Sequence, residues 1–455
     1  MSDPHRSAMH RAELRITLSL ASIFALRMFG LFMVLPVFAV YGTELSGASP
    51  LLIGTAIGIY GLMQALLQIP FGLLSDKYGR QPLLLVGLAL FIVGGCVAAL
   101  SDSIYGVIVG RSLQGAGAVA SVIMATIGDA VSDQHRTRAM AAVGMSVGAS
   151  FVLALILGPV LTSVVGLSGL FWVSSVMGVA AFVVAAWLPI SAPVQLEMPN
   201  VSERFKRVLG DRVLWQLNGG ILILHLVLTA MFVVLPQMLV SQLGMPVQQH
   251  SMLYLGVLLG GIAAMVPLII RAERKGAIPV KRLGLMLLAL SLLMLSLVGT
   301  QLWWLIAALL VFFAAFNLLE ALLPSMVSRA APAGARGAAM GVYSSHQFFG
   351  VFLGGQLGGL IYHWWGASSV FVIAALMVVG WMLLIRTMDE LPKYESRVLP
   401  LNDAVNEQQL LQSLLKVVGV KEAVYLRDQH IAVVKVDSEL LNESELSALA
   451  GIEQT

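Results

Sequence analysis

The sequence predicts an all-α polytopic membrane protein of twelve transmembrane helices, arranged as two six-helix halves and followed by a small α+β domain. The prediction rests on composition, on the placement of the basic residues and on an internal repeat. Of the 455 residues, 58% are hydrophobic and 11% are charged, whereas soluble domains average roughly 45–50% and 25%. So few charged side chains cannot cover a globule of this size, which excludes an ordinary soluble enzyme.

The apolar runs give the order of the elements. Residues 1–13 are polar, and the run at 14–40 is longer than the roughly 7–15 apolar residues of a cleaved signal sequence, so it remains as the first span. A polar central loop at 189–212 separates a first half, 14–188, from a second half, 213–387. Each half holds six runs near the length of about 20 residues that crosses a bilayer; they lie at 14–40, 51–74, 82–100, 103–129, 138–163, 168–188, 213–241, 249–271, 282–300, 301–327, 337–363 and 367–387.

The connections between the runs predict the orientation. Alternate connections, starting with the N-terminus, hold nineteen Lys and Arg residues, and the six connections on the other side hold none. Basic residues favour the cytoplasmic side of a membrane, so both termini are predicted to be cytoplasmic. The isoelectric point near 9.0 therefore indicates a lipid bilayer as partner and not nucleic acid, because the basic residues form no single face.

An internal repeat at a separation near 200 residues relates the two halves. Chance rarely places proline, arginine and glycine matches in one register, and here Pro36, Arg136, Gly158 and Gly166 recur as Pro236, Arg336, Gly358 and Gly366. Two six-helix units in the same orientation predict a parallel duplication with a substrate path between them, which favours a transporter. Glycine pairs such as Gly54/Gly58, Gly144/Gly148 and Gly350/Gly354 predict close helix approach.

The tail differs in composition from the membrane body. After a linker at 388–397, the domain at 398–455 is predicted to hold strands at 398–401, 420–426 and 431–436 with a helix between the first two. A second short helix begins at Asn442 and ends near Gly451. The order β-α-β-β-α predicts a ferredoxin-like module. Without cysteine, and with His430 alone, it makes a poor metal site, so it is either a regulatory domain that binds a cytoplasmic ligand or protein, or a stabilising appendage.

The connection between the second and third spans carries a motif with a structural rationale. Gly72 allows close helix approach, Gly79 permits a tight turn and Asp76 can pair with an arginine of a neighbouring segment. The second half holds a decayed copy, with Glu273 and Gly276 in place of Asp76 and Gly79. The duplicated loop favours an electrostatic latch over a solvated turn.

This loop, the twelve spans and the duplication resemble the major facilitator superfamily, whose loop signature is G-x-L-x-D-R-x-G-R-K. The chain keeps the Gly, Leu, Asp, Gly and first Arg of the signature, with Lys77 and Gln81 at the other basic positions. Arg111 to Gly117 is similar to the family's fourth-helix motif, and Gly158-Pro159 is similar to the fifth-helix motif of its drug/proton antiporters. The resemblance covers about residues 14–387 and implies proton-coupled efflux across a bacterial inner membrane.

The resemblance also assigns roles to the latch residues. Asp76 would face the start of the eleventh helix near Arg336, and Arg80 would pair with Asp129 at the end of the fourth. In the family this latch joins the two halves on the cytoplasmic side while the cavity faces outward. The energy source would be the proton gradient with no bound cofactor, and the sequence contains no Gly-x-x-x-x-Gly-Lys-Ser/Thr loop for ATP.

Ionisable residues inside the spans are costly in lipid and mark an interior or a cavity. The five are Arg27, Arg111, His225, Glu320 and His346, and the first four lie on spans one, four, seven and ten. Glu320, as the only acid well inside a span, is the first candidate to carry a coupling proton. His225 and His346 are the next candidates because they titrate near neutral pH, whereas the family resemblance favours Arg111.

The balance of these charges predicts a substrate class. Two arginines against one glutamate would make the cavity net positive, which favours an anionic, zwitterionic or polyhydroxylated small molecule over a lipophilic cation. Two other classes of function stay open. A membrane-embedded enzyme would need a nucleophile with a base, or a metal set, which no spacing here supports. A transporter-like sensor signalling through the C-terminal domain predicts ligand binding without flux.

Overall fold

In this computed structural model the protein is described over residues 9, 11–188, 201–333, 335–386, 388, 394–400, 407–426, 431–437, 440–442 and 445–446. The membrane body is helical. Its helices are α1 (Arg11–Phe32), α2 (Leu35–Tyr41), α3 (Pro50–Tyr78), α4 (Arg80–Ala99), α5 (Ile104–Ala116), α6 (Val119–Ala130), α7 (Asp133–Trp187), α8 (Val201–Gly210), α9 (Arg212–Ser241), α10 (Val247–Lys275), α11 (Ala277–Ser296), α12 (Leu302–Ala330) and α13 (Arg336–Leu384).

These helices form ten apolar segments long enough to cross a membrane. Two of them, α7 with 55 residues and α13 with 49, are too long for one crossing of about 30 Å at 1.5 Å per residue. Each is broken at a glycine with positive φ, 68° at Gly166 and 77° at Gly366. The breaks divide α7 into spans 5 and 6 and α13 into spans 11 and 12, so the ten segments supply twelve spans.

The backbone repeats between the halves as the sequence does. Gly166 and Gly366 share one left-handed conformation, and so do Gly79 (φ 98°, ψ 151°) and Gly276 (φ 94°, ψ 153°), which end α3 and α10. L-residues with a side chain avoid these φ values, so glycine is required at all four turns. The duplicated loop therefore has the same shape in both halves, although the side chain of Glu273 is outside the described residues.

Two spans contain breaks that the apolar pattern did not predict. Span 1 is interrupted at Met33–Val34, between α1 and α2, where Pro36 enters as one of the first residues of α2. Span 4 is interrupted at Gly117–Ala118, between α5 and α6, with both residues outside helical geometry. Both breaks free backbone carbonyls inside the membrane body, and these need partners there.

The connections that carry Lys and Arg lie together at one end of the bundle, called the basic end below. The halves contact each other at the opposite end. A Cβ placed on Gly54 of span 2 would lie 2.0 Å from the carbonyl oxygen of Gly355 in span 11. Ser251 of span 8 donates a hydrogen bond of 2.6 Å to the carbonyl of Ile156 in span 5. The opposite end is therefore closed.

The basic end lacks this packing. Gly144 and Gly148 of span 5 and Gly337 and Gly341 of span 11 have no heavy atom within 4 Å of an added Cβ. The close approach predicted for Gly144/Gly148 is therefore wrong for this state of the protein, whereas Gly350 and Gly354 do pack on the backbone of span 7 at Leu222 and Leu226. The space between the halves opens towards the basic end.

The C-terminal module contains a three-stranded antiparallel sheet. Its elements are β1 (Tyr394–Pro400), α14 (Glu407–Lys416), β2 (Val420–Leu426) and β3 (Ile431–Asp437), with β3 in the centre and antiparallel to both neighbours. The strand β1 begins inside the predicted linker, because it pairs with β3 as far as Tyr394–Asp437. Oδ1 of Asn442 accepts from the backbone N–H of Glu445 (3.4 Å), as in a helix N-cap, and the Asn442 amide donates to the Glu445 carboxylate (3.1 Å). His430 and the predicted helix end at Gly451 lie outside the described residues.

Candidate functional site

Arg27 of span 1 supports the break in span 4. Its Nη2 donates hydrogen bonds to the carbonyl oxygen of Gly117 (2.7 Å) and to Oε1 of Gln64 (2.9 Å), and Gln64 donates in turn to Gln68 (2.7 Å). The Gly117 carbonyl follows the last turn of α5, where a cation also interacts favourably with the helix dipole. Arg27 thus provides the partner that the interrupted backbone needs inside the membrane body.

Arg27 is fully enclosed. It is 0% exposed, and its guanidinium carbon lies 5.6 Å from the ring centres of both Tyr60 and Phe91, where the aromatic faces contribute a favourable cation–π interaction. The prediction that Arg27 lines a cavity is therefore wrong. The sequence showed a charge at membrane depth but not the helix break that the charge supports.

Arg111 of span 4 is also buried, at 2% exposed. Its donors reach the carbonyls of Ala56 (3.3 Å) and Ile57 (3.5 Å) in span 2 and Oε1 of Gln114 (3.2 Å). Among the described residues no acid forms an ion pair with Arg27 or Arg111. Because both charges are enclosed by protein, the argument that a positive cavity selects an anionic substrate no longer holds.

The second half contains a different polar cluster, formed by His225 of span 7, Glu320 of span 10 and Gln347 of span 11. The Gln347 amide nitrogen donates to Oε1 of Glu320 (3.2 Å) and lies 2.8 Å from Nε2 of His225. Nδ1 of His225 lies 3.3 Å from the carbonyl of Ile221 and 3.8 Å from Oε2 of Glu320. One amide side chain therefore joins three spans through two titratable groups.

The Glu320 carboxylate is partly open to solvent. Its side chain is 36% exposed, yet its Oε2 atom is buried without a hydrogen-bond partner. The hydroxyl of Tyr343, one turn before Gln347 on span 11, is likewise buried and unpartnered. Two buried oxygens on neighbouring spans therefore lack a hydrogen-bond partner, Oε2 of Glu320 on span 10 and the hydroxyl of Tyr343 on span 11.

His346 does not join this cluster. Its Nδ1 lies 2.8 Å from the carbonyl of Val342 on the preceding turn, and its ring packs edge-on against Trp215 at 5.5 Å. The five predicted residues therefore separate into an enclosed arginine pair, a His225–Glu320 pair and an isolated histidine. The neighbouring Gln347 and not His346 makes the contacts with the acid.

The latch motif is partly assembled. Arg80, at the start of span 3, pairs with Asp129 at the end of span 4 (2.8 Å), with Asp76 one turn earlier, and donates to Ser75 Oγ (2.6 Å). The Arg80–Asp129 contact implied by the family resemblance is thus present. Gln81, in place of a basic residue, donates to the terminal carbonyls of span 6 at Ala185, Ala186 and Leu188.

Asp76 does not reach the other half. It is 58% exposed and its described ion pair is with Arg80, while Arg336 at the start of span 11 is exposed. No ion pair joins Asp76 and Arg336 in the part of the chain that the structure describes. The expected Asp76–Arg336 contact is therefore absent, because the halves are apart at the basic end.

The remaining motif residues, three glycines and a proline, have different roles. A Cβ on Gly158 would lie 2.6 Å from the carbonyl oxygen of Met33, so Gly158 and the adjacent Pro159 set span 5 directly against the break in span 1. Gly79 has the positive φ that the loop needs. At Gly72 an added Cβ would meet Ser121 at an ordinary 3.5 Å, so close approach is not the reason for glycine there.

The contacts of Gln64 with Arg27 and of Gln347 with His225 could not be predicted from the sequence. Tyr60, Gln64 and Gln347 are polar residues inside apolar spans, and no motif marks them. Their spacing on one helix could not show that Gln64 contacts Arg27, a residue 37 positions earlier, or that Gln347 contacts His225, 122 positions earlier. These contacts depend on helix packing, which periodicity does not specify.

Known proteins share this architecture. The family model of the Major Facilitator Superfamily matches residues 20–355 and 220–426. The chain is 44% identical to the inner membrane transport protein YajR of Escherichia coli over 447 residues, which are 96% of this chain and 97% of that protein. Two solved structures match 82% of this chain and nearly all of theirs: a human organic anion transporter (TM-score 0.62, 20% identity, 99% of that chain) and the nucleoside transporter NupG (TM-score 0.66, 14% identity, 100%). The chain therefore belongs to the major facilitator superfamily, as a multi-pass membrane transporter and not an enzyme.

Proposed function

We propose that this transporter exports a small molecule in exchange for protons, by alternating access, with Glu320 and His225 as the proton-binding pair. The observation that carries the proposal is the buried, unpartnered Oε2 of Glu320 beside the imidazole of His225. The other charged groups at membrane depth, Arg27 and Arg111, are 0% and 2% exposed and donate hydrogen bonds to groups of the first half.

The geometry supplies a link between proton binding and helix position. The two N–H groups of the Gln347 amide face acceptors on Glu320 and His225. Protonation of His225 at Nε2 replaces that acceptor with a donor, so Gln347 can no longer donate to it. A proton therefore weakens the attachment of span 11 to span 7, and span 11 also contacts span 2 of the other half.

The arrangement of the halves supports alternating access. Contacts between spans 2 and 11 and between spans 5 and 8 close the opposite end, and the basic end is open. With both termini in the cytoplasm, as the basic connections predict, this state would receive substrate from the cytoplasm of a bacterial inner membrane. The Asp76–Arg336 contact would then form when the cavity faces outward.

Proton coupling can be tested with reconstituted protein. Compounds that raise the thermal stability of the purified protein are added to proteoliposomes containing a pH-sensitive dye, and proton movement is followed with and without an imposed gradient. Glu320→Gln should bind the compound but lose proton movement, and His225→Ala should alter its pH dependence. Glu44→Gln, the same change at an exposed acid of the opposite end, is the control. Proton movement that survives in Glu320→Gln at the wild-type rate would exclude the assignment.

A second candidate is a transporter-like sensor that signals through its C-terminal module. It is favoured by the direct contact between that module and the connection of spans 10 and 11. The module's sheet, with β3 between β1 and β2 and a helix joining β1 to β2, supports a ferredoxin-like fold of the βαββα order. A sensor should bind the same compounds in the stability screen without moving them or protons across the membrane.

A further inference from the structure

The sheet of the C-terminal module has a buried lysine on the face away from its own core. In β3, Ala432, Val434 and Val436 pack with Leu410 and Leu414 of α14 in the module's core. Side chains alternate between the two faces of a strand, so Lys435 points to the other face. It is nevertheless only 6% exposed. The membrane body covers this face, and Lys435 is buried by docking and not by the module itself.

Lys435 and Glu422 hold the connection between spans 10 and 11. The Nζ of Lys435 donates to the carbonyl oxygens of Ala331 (2.9 Å) and Ala330 (3.4 Å), at the C-terminal end of span 10. Oε2 of Glu422 accepts from the backbone N–H of Ala333 (2.8 Å). A cation on terminal helix carbonyls and a carboxylate on a free N–H are both charge-assisted bonds.

The two side chains act as one unit. Glu422 of β2 and Lys435 of β3 are direct cross-strand partners in the sheet, so their spacing is fixed. Their three backbone partners lie within four residues, and the connection from the end of α12 to the start of α13 covers only 331–335. Fixing Ala331 and Ala333 therefore fixes the direction in which span 11 begins, at Arg336.

We propose that the C-terminal sheet is a conformational clamp, in which Glu422 and Lys435 hold the connection of spans 10 and 11 so that Arg336 stays away from Asp76. The clamp favours the state that is open at the basic end. The inference rests on the proposed alternating-access function, because it assigns the module an effect on that equilibrium.

The surroundings of the clamp agree with a reversible contact. Burial lowers the pKa of Lys435, and the carboxylates of Glu422 and Asp211 offset part of that effect. Asp211 caps the start of span 7 through the N–H of Leu214 (2.9 Å). A groove of about 630 Å³ remains beside the contact, lined in part by Arg207, Pro332 and Lys421. The docking surface therefore contains charged groups and is only partly filled, unlike a permanent core.

Distance measurements on the full chain test the clamp. In a Cys96→Ser background, spin labels at Tyr78 and Leu283, exposed positions at the basic ends of the two halves, report opening. Labels at Val418 and Leu283 report docking of the module. The main variant exchanges the two charges, Glu422→Lys with Lys435→Glu, which keeps the cross-strand pair and the net charge but opposes both backbone contacts. Lys435→Arg keeps the cation, and Lys416→Met, at an exposed position of α14, is the matched control.

The exchange variant should undock the module and shift the Tyr78–Leu283 distribution towards shorter distances. The ratio of closed to open molecules should change on the order of tenfold, the effect of one charge-assisted hydrogen bond. Lys435→Arg and Lys416→Met should match the parent. An unchanged Tyr78–Leu283 distribution with the module undocked would overturn the clamp, and so would a module that stays docked. Because no substrate is needed, the result is independent of whether proton antiport is confirmed.

Discussion

Charged side chains inside a membrane body need either protein partners or contact with water, and the two halves of this transporter differ in which they provide. Arg27 is enclosed by Gln64, two aromatic rings and the free carbonyl of Gly117. Glu320 keeps a third of its side chain exposed and leaves one oxygen unpartnered. The first arrangement encloses the charge in protein, and the second leaves part of the carboxylate open to solvent.

The role of Arg27 as a backbone partner can be tested by removing its charge. Arg27→Met should lower the free energy of unfolding by about 2–4 kcal/mol, because the hydrogen bonds to Gln64 and Gly117 are lost and the Gly117 carbonyl is left unsatisfied. Thermal unfolding of the detergent-purified variant measures this effect.

Arg15→Met, on the exposed surface of the same helix, should leave the unfolding temperature near that of the parent and serves as the control. If Arg27→Met is as stable as the control but loses proton movement, the residue belongs to the transport path and not to the support of span 4.

At the scale of the helices, the glycines of span 11 differ in whether another helix packs against them. Gly355 contacts the backbone of span 2, and a Cβ added to it would lie 2.3 Å from the carbonyl oxygen of Gly54. Gly341, on the same helix, has no heavy atom within 4 Å of an added Cβ. Gly355 therefore permits the contact that closes the opposite end. We expect Gly341 to permit the corresponding contact when the basic end closes.

Valine at these two positions should shift the equilibrium in opposite directions. Gly355→Val separates spans 2 and 11 at the opposite end and should reduce the fraction open at the basic end. Gly341→Val is accommodated in the present state and should hinder closure. Hydrogen exchange of the backbone at 337–345 should decrease in the first variant and increase in the second. The same change in both variants would mean that the substitutions merely loosen the helix.

The elements were largely predictable from sequence, for identifiable reasons. Apolar runs of bilayer length located the spans, and Gly166 and Gly366 already separated runs within the long helices α7 and α13. The interruptions at Met33–Val34 and Gly117–Ala118 were not predicted, since apolar composition continues through them. A break depends on whether a partner such as Arg27 can satisfy the freed carbonyl, and that partner lies 90 residues away in the sequence.

At the scale of the whole molecule, the latch motif does not link the two halves in the part of the chain that the structure describes. Asp76 and Arg80 are paired within the first half here, and Ala333, three residues before Arg336, donates a hydrogen bond to Glu422 of the C-terminal module. The ionisable residues inside the spans could be predicted from the sequence, but which of them contact each other could not. His346 looked equivalent to His225, yet only His225 faces Glu320, because helix rotation places adjacent positions 346 and 347 on different sides of span 11.

The latch prediction can be tested by cross-linking. Asp76→Asn removes the charge that would attract Arg336, so it should reduce the fraction of molecules closed at the basic end. Cysteines at Lys77 and Gly337, in the Cys96→Ser background, should cross-link less in this variant. Asp102→Asn, at an exposed acid of the opposite end, is the control. Equal yields in Asp76→Asn and in the parent would show that the carboxylate does not join the halves.

The central claim is that proton binding at Glu320 and His225 controls which end of the bundle is open. The most direct measurement is the pair of distances Tyr78–Leu283 at the basic end and Tyr105–Leu297 at the opposite end, all four positions being exposed. They are measured in lipid nanodiscs at about pH 5.5 and about pH 8.5, below and above the usual histidine range. In the parent the two distances should change with pH in opposite senses, and in the double variant Glu320→Gln, His225→Ala they should not respond. Identical pH responses in the parent and in the double variant would contradict the account.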